Sequence, residues 1–174
     1  MATPRATSVI EHTVTIAADP EIVFSYFTDP VKLVSWMGAD ATVDPRPGGV
    51  FRVVFHPTAD VAAFISASGG ATGEVVSNAV LGEFVAVDPY ERIAFTWGYE
   101  NELFAMPPQS TAVEVSLTPA AETTIVRLVH RRLPEAGVGF HRAGWDHYLP
   151  RLATAASGGD PGPDPFSRAA GSPS

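Results

Sequence analysis

The sequence predicts an α+β domain in which an antiparallel sheet curls around one long C-terminal helix. Three observations carry that expectation. Residues 135–156 are the only stretch long and periodic enough to form a major helix, with His141, Trp145, Tyr148, Leu149 and Leu152 recurring on one face. Between residues 41 and 132, short runs alternate apolar and polar residues and are separated by turn signals. No regular strand–helix–strand alternation interrupts them, so nothing calls for a parallel sheet.

In chain order, residues 1–7 are polar and are expected to be a flexible N-terminus. Residues 8–17, with Val9, His12, Val14 and Ile16, are rich in β-branched side chains and predict a first strand. Asp19-Pro20 offers a helix cap and a first-turn proline, and Ile22, Val23, Tyr26 and Phe27 give a short amphipathic helix. Asp29-Pro30 repeats the signal, so a second short helix should run to about Trp36.

Residues 41–44 are weakly extended, 45–49 form a Pro/Gly turn, and 50–56 alternate with Phe51, Val53 and Phe55 on one side. Phe51 and Phe55 both read as core. Residues 57–71 are rich in Ala, Ser and Gly and are expected to be a long loop or flap. Strands follow at 74–87, with an irregularity near Ser77-Asn78, and after a tight turn at 92–99, which places Ile93, Phe95, Trp97 and Tyr99 together. Two more follow at 111–118 and 123–132; parity puts Val126, Leu128 and His130 inward and Arg127 and Arg131 outward. Pro150 inside the last helix should kink it or cost about 3 kcal/mol. The Gly/Pro/Ser-rich residues 157–174 cannot bury enough apolar surface to offset their ordering entropy and are expected to be a disordered tail after a domain spanning 8–156.

With 174 residues, 45% of them hydrophobic, the chain can bury a real core. A net charge of -8 excludes the clustered Lys and Arg that nucleic-acid binding requires. No cysteine means no disulfide, thiolate metal site or Cys nucleophile. No run is long and apolar enough to span a membrane, and the first residues lack a secretory pattern, so a cytoplasmic protein is expected. His141 and His147 fall on different helix faces with no carboxylate at ligand spacing, so no metal and no cofactor is expected. An edge strand left exposed would allow a homodimer.

An ordered series of short motifs carries a resemblance: Asp29-Pro30 with Trp36; Pro45-x-Pro-Gly-Gly-x-Phe51-Arg52; Gly82-Glu83-Phe84; Asp88-Pro89-x-Glu91-Arg92-Ile93-x-Phe95-Thr96-Trp97; His130; and His141-x-x-Gly144-Trp145 with Leu149 and Leu152. Over residues 9–152 the series resembles the START-like (SRPBCC) superfamily, in the branch named for the C-terminal domain of the heat-shock-protein-90 ATPase activator. The resemblance implies a helix-grip fold around a cavity for an apolar small molecule. It does not imply one activity. The 57–71 segment looks longer than the family's usual turn, and Pro150 interrupts a usually regular helix; both lie where a pocket mouth would be.

The candidate ligand-binding residues are Phe95, Trp97, Tyr99, Leu128, His130, His141, Trp145 and Tyr148. His130 reads either as a proton-transfer or anchoring group or as a core histidine satisfied by a neighbour, and the second reading weighs more. Trp145 is favoured as core, His141 and Tyr148 read equally as core or cavity wall, and Trp97 and Tyr99 are placed at the mouth. Three functions of different class follow. The first is a carrier or sensor of a hydrophobic or aromatic molecule. The second is a cyclase- or hydrolase-like enzyme using a cavity histidine, which the lack of an obvious inward carboxylate disfavours. The third is an interaction domain that stimulates a chaperone ATPase, and it ranks last because the chain shows no clear partner surface.

Overall fold

A computed structural model describes residues 7–71, 73, 75 and 77–168. The expected flexible start therefore lies outside the described residues except for Thr7, as do residues 169–174 of the tail.

Strand β1 (Thr7–Ile16) leads into α1 (Pro20–Thr28) and α2 (Pro30–Val34). Asp29 terminates the first helix and caps the second: its carboxylate accepts from the backbone N–H of Val31 and Lys32, at 2.9 and 3.1 Å. Asp19, by contrast, makes no side-chain cap, and α1 starts on its proline. Val23, Phe24 and Phe27 of α1 face inward, where Phe27 meets Trp36 edge-on at 5.3 Å.

Six further strands follow: β2 (Asp40–Val43), β3 (Val50–Phe55), β4 (Asn78–Asp88), β5 (Arg92–Trp97), β6 (Thr111–Ala120) and β7 (Thr123–Pro134). All neighbours are antiparallel, in the order β1-β7-β6-β5-β4-β3-β2, so the first strand closes beside the last and β2 forms the far edge. The irregularity expected near Ser77 is instead the start of β4, and the register of β4 against β5 shifts between Phe84 and Ala86. Gly82 is required here, because a Cβ at this position would lie 1.8 Å from the Thr96 carbonyl oxygen. Across β4, Phe51 and Phe95 stack at 3.9 Å.

Helix α4 (Glu135–Ala156) spans the expected residues and runs through Pro150. It packs against β1 and β7 and buries His141, Trp145, Tyr148, Leu149 and Leu152. With a curved seven-stranded antiparallel sheet on one side and a long helix on the other, the α+β helix-grip expectation holds.

Two expectations are corrected. Residues 57–71 are not a loop: Ala59–Ala67 form α3, with Asp60 in the first turn and Ile65 buried. Thr58, in extended backbone, marks the helix start, and the alanines that blurred the apolar pattern are good helix formers. Residues 157–168 are not disordered either. Arg151 holds the carbonyls of Pro161, Gly162 and Pro163, Pro57 pairs with Ser167, and Ser167 is buried. These contacts reach a distant part of the chain, which composition does not register.

Candidate functional site

A cavity of about 470 Å³ lies between the sheet and α4. The sheet side supplies Phe55, Asn78, Trp97 and Tyr99, placed by strand alternation. Helix α4 supplies Phe140, His141, Gly144, Trp145 and Tyr148, one turn apart along its inner face. Helix α3 adds Val61, Phe64 and Ile65, and the chain after α4 returns to add Pro165 and Phe166. Met37 and the segment Pro57, Thr58 and Asp60 complete the wall.

Five of the eight expected residues line this space: Trp97, Tyr99, His141, Trp145 and Tyr148. The other three stand behind it. Phe95 is buried in its stack on Phe51, Leu128 is fully buried in the core, and His130 sits beneath Trp97 and Trp145 with ring centroids 5.8 and 6.2 Å away. Trp97 and Tyr99 belong to the inner wall and not the mouth, at 4% and 2% exposure. Trp145 does both jobs, packing the core and facing the cavity. Phe55, read as core, is a wall residue that meets Tyr148 at 5.9 Å.

The two buried histidines are fixed by complementary partners. Trp145 Nε1–H donates to His130 Nδ1 at 3.2 Å, so the proton of His130 is on Nε2, which donates to Thr111 Oγ1 at 2.8 Å. The Thr111 hydroxyl passes its own hydrogen to the Trp97 carbonyl at 2.7 Å. His141 takes the opposite tautomer. Its Nδ1–H donates to the Gly137 carbonyl at 2.6 Å, which leaves Nε2 to accept from the Tyr99 hydroxyl at 2.7 Å.

Burial sets the protonation of this cluster. His141 is pushed down to about 4 by desolvation, against a smaller opposing effect of the Gly137 carbonyl. His130 is held well below its usual range by desolvation and then by its neighbour His141. The same burial raises the Tyr99 phenol. The Trp97 indole N–H lies close enough to favour the Tyr99 anion slightly, yet forms no hydrogen bond of good geometry. At neutral pH the two histidines are uncharged, and each uses both ring nitrogens. Neither presents a free nitrogen to a ligand as a general base would.

A carboxylate does approach the cavity, although sequence reasoning found none. Asp164 accepts from the Tyr148 hydroxyl at 2.8 Å with one oxygen and meets His147 Nε2 at 2.8 Å with the other. Its side chain is only 10% exposed. His147 thus belongs to a half-buried cluster, whereas its neighbour Asp146 pairs with His12 at 3.2 Å. Asp164 lay in the segment read as tail, and no local spacing tied it to α4. Arg52 and Arg92 lie on the outer face, paired with Glu100 and Glu114. Among the described residues, no three His, Asp or Glu side chains converge as a metal site would need.

Comparison with known proteins places this geometry. The sequence profile of the family described as Activator of Hsp90 ATPase homolog 1-like protein matches residues 17–157. Among solved structures, an AHSA1-like protein from Rhizobium etli is 36% identical, with a TM-score of 0.63, covering 92% of this chain and 89% of that one. A protein from Chromobacterium violaceum is 23% identical at TM-score 0.63, covering 86% of this chain and 98% of that one. DynU16, of the dynemicin biosynthetic locus, is also 23% identical at TM-score 0.63; the match covers 88% of this chain but 49% of that one. These last two likenesses concern the fold. Among curated proteins nothing matches.

Proposed function

The chain belongs to the Activator of Hsp90 ATPase homolog 1-like family, and from that premise we propose that it binds an uncharged hydrophobic or aromatic small molecule in its cavity, as a carrier or sensor. The observation that carries this reading is the lining. A space of about 470 Å³ falls within the range of roughly 300–1,000 Å³ typical of small-molecule sites, and the sheet side and α4 wall it with the aromatic side chains of Phe55, Trp97, Tyr99, Phe140, Trp145 and Tyr148. Its ionisable lining groups are Asp60, the two tyrosines and a neutral His141, with no Lys or Arg among them. An anionic head group would lose its hydration there without gaining a cation. Placement of DynU16 in a biosynthetic locus is a setting that suits such a role, although that neighbour lends the fold and no more. The family name describes an activator; the feature this chain offers most clearly is a cavity.

A matched pair of fluorescent probes tests the reading. N-phenyl-1-naphthylamine and its sulfonated relative 8-anilino-1-naphthalenesulfonate share an aromatic body and differ in charge. The neutral probe should bind saturably at one site, about tenfold or more tighter than the anion, a difference of about 1.4 kcal/mol. Gly144 lines the cavity and nothing lies within 4 Å of where its Cβ would be, so Gly144→Leu should fill the space and weaken the neutral probe at least about tenfold while the protein stays folded. Absence of saturable binding by either probe would sink the reading, and tighter binding of the sulfonate would overturn its uncharged-ligand part.

A further inference from the structure

We propose that residues 157–168 are a latch that closes the ligand cavity and sets how fast ligand exchanges, with the Asp164 carboxylate as its clasp. The proposal rests on the ligand reading above and adds a gate to it. The family match ends at residue 157, so the latch lies beyond the matched residues. It leaves the end of α4, turns at Gly158 and Gly162, and comes back across α4 to pair with Pro57, two residues before α3. Between those two helices it contributes Pro165 and Phe166 to the cavity wall.

Its attachments fall into three groups. At the near end, the Arg151 guanidinium holds three successive carbonyls, of Pro161, Gly162 and Pro163. At the centre, Asp164 grips Tyr148 and His147, and the Phe166 ring stacks on His147 at 3.8 Å. At the far end, Arg168 N–H donates to the His56 carbonyl at 2.8 Å, and the Ser167 hydroxyl accepts from the His56 N–H at 3.1 Å. The far end thus extends the run that links β3 to α3.

The same contacts leave the segment able to open. It is held by hydrogen bonds and one stacked ring, and that ring is still 37% exposed. Ordering a Gly- and Pro-rich stretch of this length costs conformational entropy that so little apolar burial offsets only narrowly. The clasp also couples the latch to the ligand space, because the hydroxyl that Asp164 holds belongs to Tyr148, a wall residue. Releasing Asp164 removes Pro165 and Phe166 from the wall and frees a phenol towards the cavity in one step.

A reversible clamp tests this directly, because the chain contains no cysteine. Pro57 and Ser167 are bridge partners, a pairing that brings Cα atoms about 4.5–5.5 Å apart, within reach of a disulfide. Pro57→Cys with Ser167→Cys, oxidised and checked by thiol titration, should slow both association and release of N-phenyl-1-naphthylamine at least tenfold in stopped-flow fluorescence, and reduction should restore both. Asp164→Ala in the full chain should do the reverse and speed both. Equal rates in the oxidised and reduced forms, or in Asp164→Ala and the parent, would overturn the latch while leaving the cavity reading intact. If the parent protein does not bind the probe at all, both readings fall together.

Discussion

His141 joins α4 to the sheet through one proton arrangement: it gives its Nδ1 hydrogen to Gly137 and takes one from Tyr99. Protonating Nε2 would set two donors against each other in a buried space, so the folded state resists the proton down to about 4. His130 resists for the same reason, being enclosed by Trp145 and Thr111. An unfolded chain takes up those protons near 6.5, the ordinary histidine value. Both groups are depressed bases, so their contribution is complete above about pH 6.5 and is lost as pH falls below that, towards about 4 for His141. Each should cost about 1.4 kcal/mol per pH unit in the lower part of that window. Urea unfolding at pH 7.5, 6.5 and 5.5 should show midpoints falling steadily below 6.5, with a shallower fall in His141→Gln. A flat stability between pH 7 and 5 would mean that these histidines take up protons while folded.

At the scale of the element, α4 and α3 show how differently helices declare themselves. The bounds of α4 are legible because large aromatic side chains recur every three to four residues and a strand ending in Pro134 precedes it. Strand parity is equally readable, and it places Val126, Leu128 and His130 inward and Arg127 and Arg131 outward, as found. Helix α3 was not legible, because its Ala and Ser residues give little contrast between faces and only Ile65 is buried. Asp164 could not have been found, since its partners Tyr148 and His147 lie 16 and 17 residues away across a Gly/Pro-rich turn. Pro150 opposes its helix most strongly: it carries no N–H for the carbonyl of Asp146, yet the helix continues. Its position is exposed, so Pro150→Ala should cause no packing loss. The restored hydrogen bond should outweigh the added freedom of the unfolded chain, raising stability by about 1–2 kcal/mol in thermal or urea unfolding. A lower midpoint would show that the proline's restriction of the unfolded chain outweighs the lost hydrogen bond.

Across the whole molecule, the sheet and α4 grip a space that their side chains do not fill, and the later chain is arranged around its opening. Helix α3 stands on one side, where Phe64 remains 49% exposed beside Phe140, and residues 157–168 cross the other. A filled core would have spent its aromatic side chains on one another; here Trp97, Trp145 and Tyr148 leave room beside them. Among the described residues, no helix is long and apolar enough to cross a membrane. The most direct test is native mass spectrometry on protein purified gently from cells, paired with a denatured sample of the same material. The account predicts a reproducible non-covalent adduct of an uncharged small molecule that disappears on denaturation and is absent from Gly144→Leu. An adduct that persists unchanged in Gly144→Leu, or one that carries a carboxylate or phosphate, would contradict it.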